Sequence, residues 1–445
     1  MLRLFKMPGF FTILAAVAGC TLLPQTATSQ TASTPPEAID RVWSGHSVDF
    51  ALLTTQSHIY AAYYDANRQL TVAQRPLNNP AHWVYHKLDT WLGWDSHNFI
   101  AMEADSRGAI HVAANMHVDP LTYFRSAPSG DVRTLTRVPV MVSEEREGAM
   151  TYPVFLKDKS GRLIFKYRDG TSGRGNEVYN LYDDVARTWA GLTSAPLVDG
   201  EGQRNAYFEG PVQGSDGYFH MAWVWRDSPH AETNHDLSYA RSSDLISWQT
   251  SDGKPLTLPI KLSRAEIVDP VPVRGGMING NTKIGFDDQG RVMITYHKYD
   301  GSGFTQIWVA RREAGGWVRR QISSWRDYRW DFKGTGSLDT ELFVEAARAG
   351  DKGRLIVPVM RLGQRTQFEI DANTLKLIAE RPVANLAQHV RPMLTVPDDM
   401  RIRTISTLDA KGRQYVLAWA TRPPQRDRPS PDIPDAGELK LFVLP

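Results

Sequence analysis

The feature that most restricts this chain is a repeated turn. Six times an apolar strand runs into a short polar turn ending in glycine, and then into a second strand of alternating apolar residues. The turns are Asp105 to Gly108, Asp158 to Gly161, Gly214 to Gly217, Asp287 to Gly290, Asp351 to Gly353 and Asp409 to Gly412. Their glycines lie 53, 56, 73, 63 and 59 residues apart. Glycine supplies the positive φ that such a turn needs, and period-two alternation is the mark of a hairpin strand. A seventh unit without the glycine fits His58 to Tyr64. Each hairpin is followed by a third strand, often ending near an arginine (Arg125, Arg241, Arg311), and by a fourth that often carries tryptophan (Trp83, Trp248, Trp317). Four strands in each of seven units predict an all-β chain, a seven-bladed β-propeller with four-stranded antiparallel blades. Two β-sandwiches in tandem are disfavoured by the even spacing and by the lack of a linker between 40 and 420. The segment near Val42 is expected to complete the last sheet beside residues 437–445, and the Pro-rich stretch 423–434 reads as a loop. Ser242 to Trp248 has the form of an Asp-box turn, a structural motif.

The first twenty residues read differently. Arg3 and Lys6 precede an apolar run, Phe10 to Ala18, which ends in small residues before Cys20. This is the pattern of a secretory signal, too short to span a bilayer. Small residues directly before the cysteine resemble a lipobox, which implies lipidation of Cys20 and an exported periplasmic or cell-surface lipoprotein; plain secretion is the alternative. Residues 21–38 are rich in Thr, Ser, Pro and Gln and read as a flexible tether. The catalytic domain is expected at 39–445, as a monomer reaching the membrane only through its lipid anchor.

Composition excludes several functions. Lys+Arg 51 against Asp+Glu 49 gives a net charge of +2, which is not the basic signature of a nucleic-acid binder. One cysteine excludes a disulfide framework and a cysteine-ligated zinc site. The 13 tryptophans and 16 tyrosines suit carbohydrate contact, and equally a large β core.

Residues about ten before each turn glycine and seven to ten after it lie at the same far end of the hairpin. In a propeller these ends converge on one face. His97 and His117 flank Gly108, and Tyr152 and Arg168 flank Gly161; Glu209, Arg226, Asn281, His297 and Arg361 occupy comparable positions. His111 and His220 lie inside apolar alternation and read as structural. No GxSxG elbow appears, and no glycosidase carboxylate pair stands out, although Glu209 and Glu341 are near the region. Lytic β-elimination on a uronic acid fits better. Arg168 and His117 are suited to grip the carboxylate as the enolate develops. A base must take the C5 proton and an acid must protonate the leaving O4. His97, with an ordinary pKa of about 6.5, and Tyr152, at about 10 and lowered by Arg168, are the candidates. The residues alone leave open which is base and which is acid.

His97-Asn98, Asn115-Met116-His117, Thr151-Tyr152-Pro153 and Tyr167-Arg168-Asp169-Gly170 carry a family likeness. So do Asn234-His235-Asp236, Tyr296-His297-Lys298 and Tyr328-Arg329-Trp330. Together they resemble BNR-4 type propellers, which include ulvan lyases of polysaccharide lyase families 24 and 25, rhamnose-α-1,4-glucuronate lyases and relatives described as rhamnosidases. The resemblance covers nearly the whole chain after residue 40. It implies a carbon–oxygen lyase cleaving at O4 of a glucuronate or iduronate next to rhamnose, with His97, His117, Tyr152 and Arg168 catalytic. It also implies substrate contacts from Asn98, Asn115, Tyr167, Arg226, His297 and Arg329, and an acidic, rhamnose-containing and in some members sulfated polysaccharide as partner. No cofactor is required for that chemistry. Some ulvan lyases hold a structural zinc with a cysteine ligand, which the mature chain lacks beyond Cys20; Asn234 and His235, with His297, are the residues left to hold a structural Ca2+ or Zn2+. A rhamnosidase-type hydrolase and a non-catalytic glycan-binding propeller are the alternatives on the same scaffold.

Overall fold

The computed structural model describes residues 35–444, except 81, 172–173, 194, 336–337, 339, 384–385 and 426. The signal, most of the tether and Cys20 lie outside the described residues.

The repeated turns explain themselves at atomic level. In Asp105, Asp158, Asp287 and Asp409 one carboxylate oxygen accepts the backbone N–H groups two and four residues ahead, at 2.8 to 3.0 Å. The aspartate thus satisfies the turn from inside. The glycine that closes each of these four turns has φ between 74° and 87°, a region costly for other residues. Where the unit begins with Gly214 instead, Asp216 accepts the N–H of Tyr218.

Each hairpin supplies the first two strands of an antiparallel unit. The first unit is Ala51–Thr54, His58–Tyr64, Gln69–Pro76 and Val84–Trp91, paired in that order. The second is Ala101–Ala104, Ile110–Ala113, Tyr123–Arg125 and Thr136–Arg137, and the third is Met150–Lys157, Leu163–Thr171, Arg174–Asp183 and Thr188–Gly191. The fourth runs Asn205–Gln213, Phe219–Arg226, Asn234–Ser242 and Trp248–Gln249. A nine-stranded sheet holds the next two, joined by a single parallel pair between Phe286 and Arg348. One of its halves is Lys283–Phe286, Val292–Tyr299, Thr305–Glu313 and Gly316–Gln321; the other is Arg348–Ala349, Arg354–Arg361, Gln364–Asp371 and Leu377–Pro382. The last unit is Arg401–Leu408, Gln414–Thr421 and Gly437–Leu444, completed by Glu37–Val42 from the other end of the chain. The strand expected near Val42 therefore forms where the sequence places it. Ser242 to Trp248 forms the expected structural turn, with Ser242 and Asp244 accepting the N–H groups of Leu245, Ile246 and Ser247.

The first strands lie side by side: Ala51–Thr54 packs on Arg401–Leu408 and Ala101–Ala104, which in turn packs on Met150–Lys157. The second strands are buried on both faces. Seven of eight residues in Phe219–Arg226 are buried, as are six of seven in His58–Tyr64. The aromatic residues are core material here: Phe50 stacks on Trp419 with centroids 4.3 Å apart, linking first and last units. His111 bonds Tyr123 and Asp105, and His220 bonds Tyr239 and Asp216, the structural roles their positions imply. No helix among the described residues is long and apolar enough to cross a membrane.

The N-terminal strand is also tied electrostatically. Arg75 in the first unit is buried and makes a two-pronged bond to Glu37 at 2.8 and 2.7 Å. Removing one partner strands a desolvated charge. Glu37→Gln is expected to destabilise the fold by about 3 kcal/mol in chemical denaturation; an unchanged midpoint would show that the tie is idle.

Candidate active site

Three neighbouring strands place the central residues in one row. Met150–Lys157 pairs with Leu163–Thr171 on one side and with a short strand, His117–Asp119, on the other. Thr151 is the partner of both Arg168 and His117. His117 therefore does not extend the second hairpin, as the offset arithmetic suggested. The chain leaves Ile110–Ala113, turns at Asn115 with φ 56°, and crosses to the edge of the third unit. A bulge between Thr151 and Val154 carries Tyr152, whose φ of 58° is unusual for a bulky residue. The pairing shift re-aims the side chain, as bulges beside functional sites commonly do.

The fourth residue arrives from a loop. Asp95 accepts the backbone N–H of His97 at 2.8 Å and meets His97 Nδ1 at 2.7 Å with the same oxygen. Its other oxygen is hydrogen-bonded to Nδ1 of His117. One carboxylate thus holds two imidazoles, whose rings stack with centroids 4.1 Å apart. With each Nδ1 occupied, Nε2 is the nitrogen left for chemistry on both rings. Each histidine side chain keeps about a quarter of its surface exposed. Tyr152 lies 6.1 Å from His97 and 6.3 Å from His117, centroid to centroid. Arg168 places its guanidinium carbon 4.9 Å from the Tyr152 ring centre and donates from Nη2 to Thr151 Oγ1 at 3.1 Å. Gly175 on the adjoining strand makes room for it: a Cβ there would fall 2.6 Å from Arg168 Cγ. The four expected residues therefore form one cluster.

The electrostatics are set by burial and by Asp95. Burial works against ionisation of Asp95, but its hydrogen bonds to His117 and His97 hold the carboxyl well below the usual range. Burial alone would depress His97; the bond to Asp95 and the nearby charge of Asp427 outweigh it and raise the imidazole pKa. Tyr152 moves opposite to the expectation from sequence. Burial raises its pKa, and the charge of Arg168 offsets this only in part. The phenol is held protonated.

Sequence reasoning missed two residues of the cluster. Asp95 is one; its signal is the Asp-x-His spacing, which lets the carboxylate cap the N–H two residues on. The other is Asp427, in the Pro-rich stretch 423–434. It accepts from Ser96 N and Oγ at 3.0 and 2.8 Å and lies 3.6 Å from His97 Nδ1. The last unit's loop thus reaches across to the site.

The other expected contacts are distributed differently. Asn98 and Asn115 form a framework under the histidines: Tyr64 donates to the Asn98 carbonyl at 2.7 Å and to Asn115 Oδ1 at 2.8 Å. Tyr167 is buried in the core of the third unit, a packing role rather than the sugar contact expected of it. Arg226 stacks over Tyr207 and spends its donors on Ser228, Pro229 and Asn279. His297 is enclosed between Trp330 and Phe332, and burial lowers its pKa to about 4; it is out of a ligand's reach. Arg329 lines a separate cavity. Of the residues considered for a structural metal, the buried Asn234 Oδ1 and both ring nitrogens of His297 have no hydrogen-bond partner among the described residues. His235 has both nitrogens engaged by carboxylates, Asp236 and Asp227, each at 3.0 Å. Asn234 directs its amide nitrogen to Ala231 and Asn279. Asp95, His97 and His117 do bring ligand-type atoms within 4.8 Å of one another, but there the carboxylate already serves both imidazoles.

The chain shares the fold of polysaccharide lyases. It superimposes on the polysaccharide lyase Uly1 with a TM-score of 0.64 at 12% identity, covering 94% of each chain. An ulvan lyase of polysaccharide lyase family 25 gives 0.61 at 14% identity, covering 91% of this chain and 95% of the other. The same ulvan lyase bound to -[GlcA(1-4)Rha3S]- gives 0.62 at 13% identity, with the same coverage. The model of the BNR repeat-containing family matches residues 58–325, more than half of the sequence, and the chain belongs to that family. A search of curated proteins finds no match.

Val118, beside His117, has φ 66°, a costly conformation for a β-branched residue. Val118→Gly is expected to stabilise the protein by up to about 1 kcal/mol in chemical denaturation. A loss of stability would show that the conformation is not strained.

Proposed function

We propose that this chain is an exported polysaccharide lyase that breaks the bond to O4 of a glucuronate or iduronate next to rhamnose. The observation that carries the reading is the cluster itself: an Asp95-held imidazole pair facing a protonated phenol and a guanidinium, within the span of one sugar. The seven antiparallel units are the blades of a closed propeller, joined by the pairing of Glu37–Val42 with Gly437–Leu444. Residues 1–20 are the lipoprotein signal, with Cys20 the lipidated residue and 21–38 the tether that holds a monomeric catalytic domain at the periplasmic or outer cell surface.

Arg168 and the Nε2–H of a His117 ring that carries both protons grip the uronate carboxylate, which makes the C5 proton more acidic and stabilises the charge that develops on its removal. Nε2 of His97 takes that proton. The electron pair forms the C4–C5 double bond, the C4–O4 bond breaks, and the Tyr152 phenol passes its proton to O4, which leaves on the rhamnose. The raised pKa of Tyr152 favours this assignment: a phenol that stays protonated at neutral pH is a proton donor, and the phenolate it leaves readily regains a proton. The oligosaccharide bound to the family 25 ulvan lyase is a glucuronate linked 1–4 to a sulfated rhamnose, and a polymer of that chemistry is the substrate this cluster suits.

Incubation with ulvan and other rhamnose–glucuronate polymers should produce the near-ultraviolet absorbance of an unsaturated uronate. Release of rhamnose without absorbance would mark a hydrolase, and binding without turnover a glycan receptor. Gly175→Ala should keep the fold and lose about 10–100-fold in turnover, because Arg168 must shift; an unchanged rate would remove Arg168 from the mechanism.

The pH dependence follows from Asp95. As base, His97 works unprotonated, so the rate climbs as pH rises through its raised pKa. Asp95→Asn removes the charge that raises it. The acid limb of the pH–rate profile should then move to lower pH, with a lower maximum; a limb that stays in place would assign it to another group.

A further inference from the structure

Away from that cluster, a cavity of about 320 Å3 opens at the end of the fifth unit. Its walls include Arg274, Tyr299, Arg329, Phe332 and Lys333. Tyr299 ends the strand that leaves the Asp287–Gly290 turn, as Arg168 lies near the end of the strand that leaves the Asp158–Gly161 turn. Both sites therefore sit at the same end of their units. A series of neighbouring residues lies between them. Arg168 covers Tyr152; Tyr207 is close enough to Tyr152 to influence its ionisation; Arg226 lies over Tyr207. Arg226 then donates to Asn279, in the loop that also carries Arg274 and Gly276.

The cavity is rigid and cationic. Arg329 is laid over the Tyr299 ring, 3.9 Å from its centre, and is pinned by a bond to the Gly303 carbonyl. Tyr299 donates to the Trp330 carbonyl at 2.8 Å, and Gly276 packs so close that a Cβ would fall 2.5 Å from the ring. Of the two acids in the wall, Glu232 is turned to the backbone N–H of Gly334 at 2.9 Å, and Asp331 stands 3.9 Å from Arg329. Arg274 and Lys333 are exposed and make no ion pair among the described residues. Two exposed cations, one of them, Arg274, within electrostatic reach of Glu232, beside a fixed guanidinium suit a tetrahedral or carboxylate anion, while the ring face that would stack on a sugar is already covered.

We propose that this cavity is an outlying subsite for an anionic group, a sulfate or carboxylate, on the same polysaccharide chain several sugars from the point of cleavage. The inference rests on the lyase reading for the identity of the polymer, though not for the binding itself. Longer substrates, held at both places, would bind more tightly than short ones.

The test uses a Tyr152→Phe background, so that the glycan is not consumed, and titrates ulvan, desulfated ulvan and a disaccharide fragment by calorimetry. The double variant Arg274→Gln/Lys333→Gln should bind ulvan about tenfold more weakly, with the difference shrinking at high salt. Its disaccharide affinity should be unchanged. Loss of the difference with desulfated ulvan identifies sulfate as the anion, and its persistence identifies carboxylate. Equal affinity of the double variant and its parent for ulvan overturns the subsite, as does a protein that binds no ulvan at all. Turnover is measured separately in the native-site protein: weakened binding without any turnover leaves the subsite standing and removes the lyase reading.

Discussion

A strand buried on both faces cannot be satisfied by its own sheet. The second strands of these units are of that kind: Phe219–Arg226, Val292–Tyr299 and Gln414–Thr421 are buried almost from end to end. Each unit must therefore be covered on two sides by other units. The sharing shows in the core. Phe50, Tyr64, Trp419 and Leu441 belong to one cluster although they come from opposite ends of the chain. The strand Glu37–Val42 is a further consequence. Without it, Gly437–Leu444 would present a free edge to solvent, a ready template for wrong pairing.

The same constraint positions the chemistry. With the strand bodies filled by packing, polar residues gather where strands end. There the backbone departs from regular geometry, at Asn115, Val118 and Tyr152, all with positive φ. Asp95 turns this irregular rim into an ordered cluster by occupying Nδ1 of two imidazoles at once. A half-buried carboxylate is costly unless it is hydrogen-bonded, and one arrangement serves both sides: Asp95 needs the histidines, and they need Asp95 to fix their tautomers. Below it, His46 is buried against Trp43 and Trp94, with a pKa lowered to about 4 by burial. The floor of the cluster is thus aromatic, with the Arg68 guanidinium laid over both tryptophans.

The hairpins were legible because their cause is local. An aspartate that caps its own turn and a glycine that permits it leave a mark in four consecutive residues. Tyr152 and Arg168 were legible because their distances from that mark fix which end of a strand they occupy, and His97 because the same distance places it in the loop just before one. His117 was found for an incomplete reason: its offset is right, but it reaches the cluster by crossing to the next unit, which no periodicity records. Asp95 reaches His117, and Asp427 reaches His97, through tertiary contacts, one from a loop and one from a Pro-rich stretch some 330 residues away in sequence. Tyr167 shows the reverse failure, since a tyrosine one residue before Arg168 points to the other face of its strand and into the core. The sign of the Tyr152 shift was missed because the neighbouring cation is visible in sequence and the depth of burial is not.

The central claim is that one uronate is held between the Asp95-bound imidazoles and the Tyr152–Arg168 pair. A crystal structure of the Tyr152→Phe variant with a rhamnose–glucuronate tetrasaccharide tests it directly. The account predicts the uronate carboxylate on Arg168 and His117, with C5 facing Nε2 of His97. A uronate bound elsewhere, or a carboxylate turned away from Arg168, would contradict it.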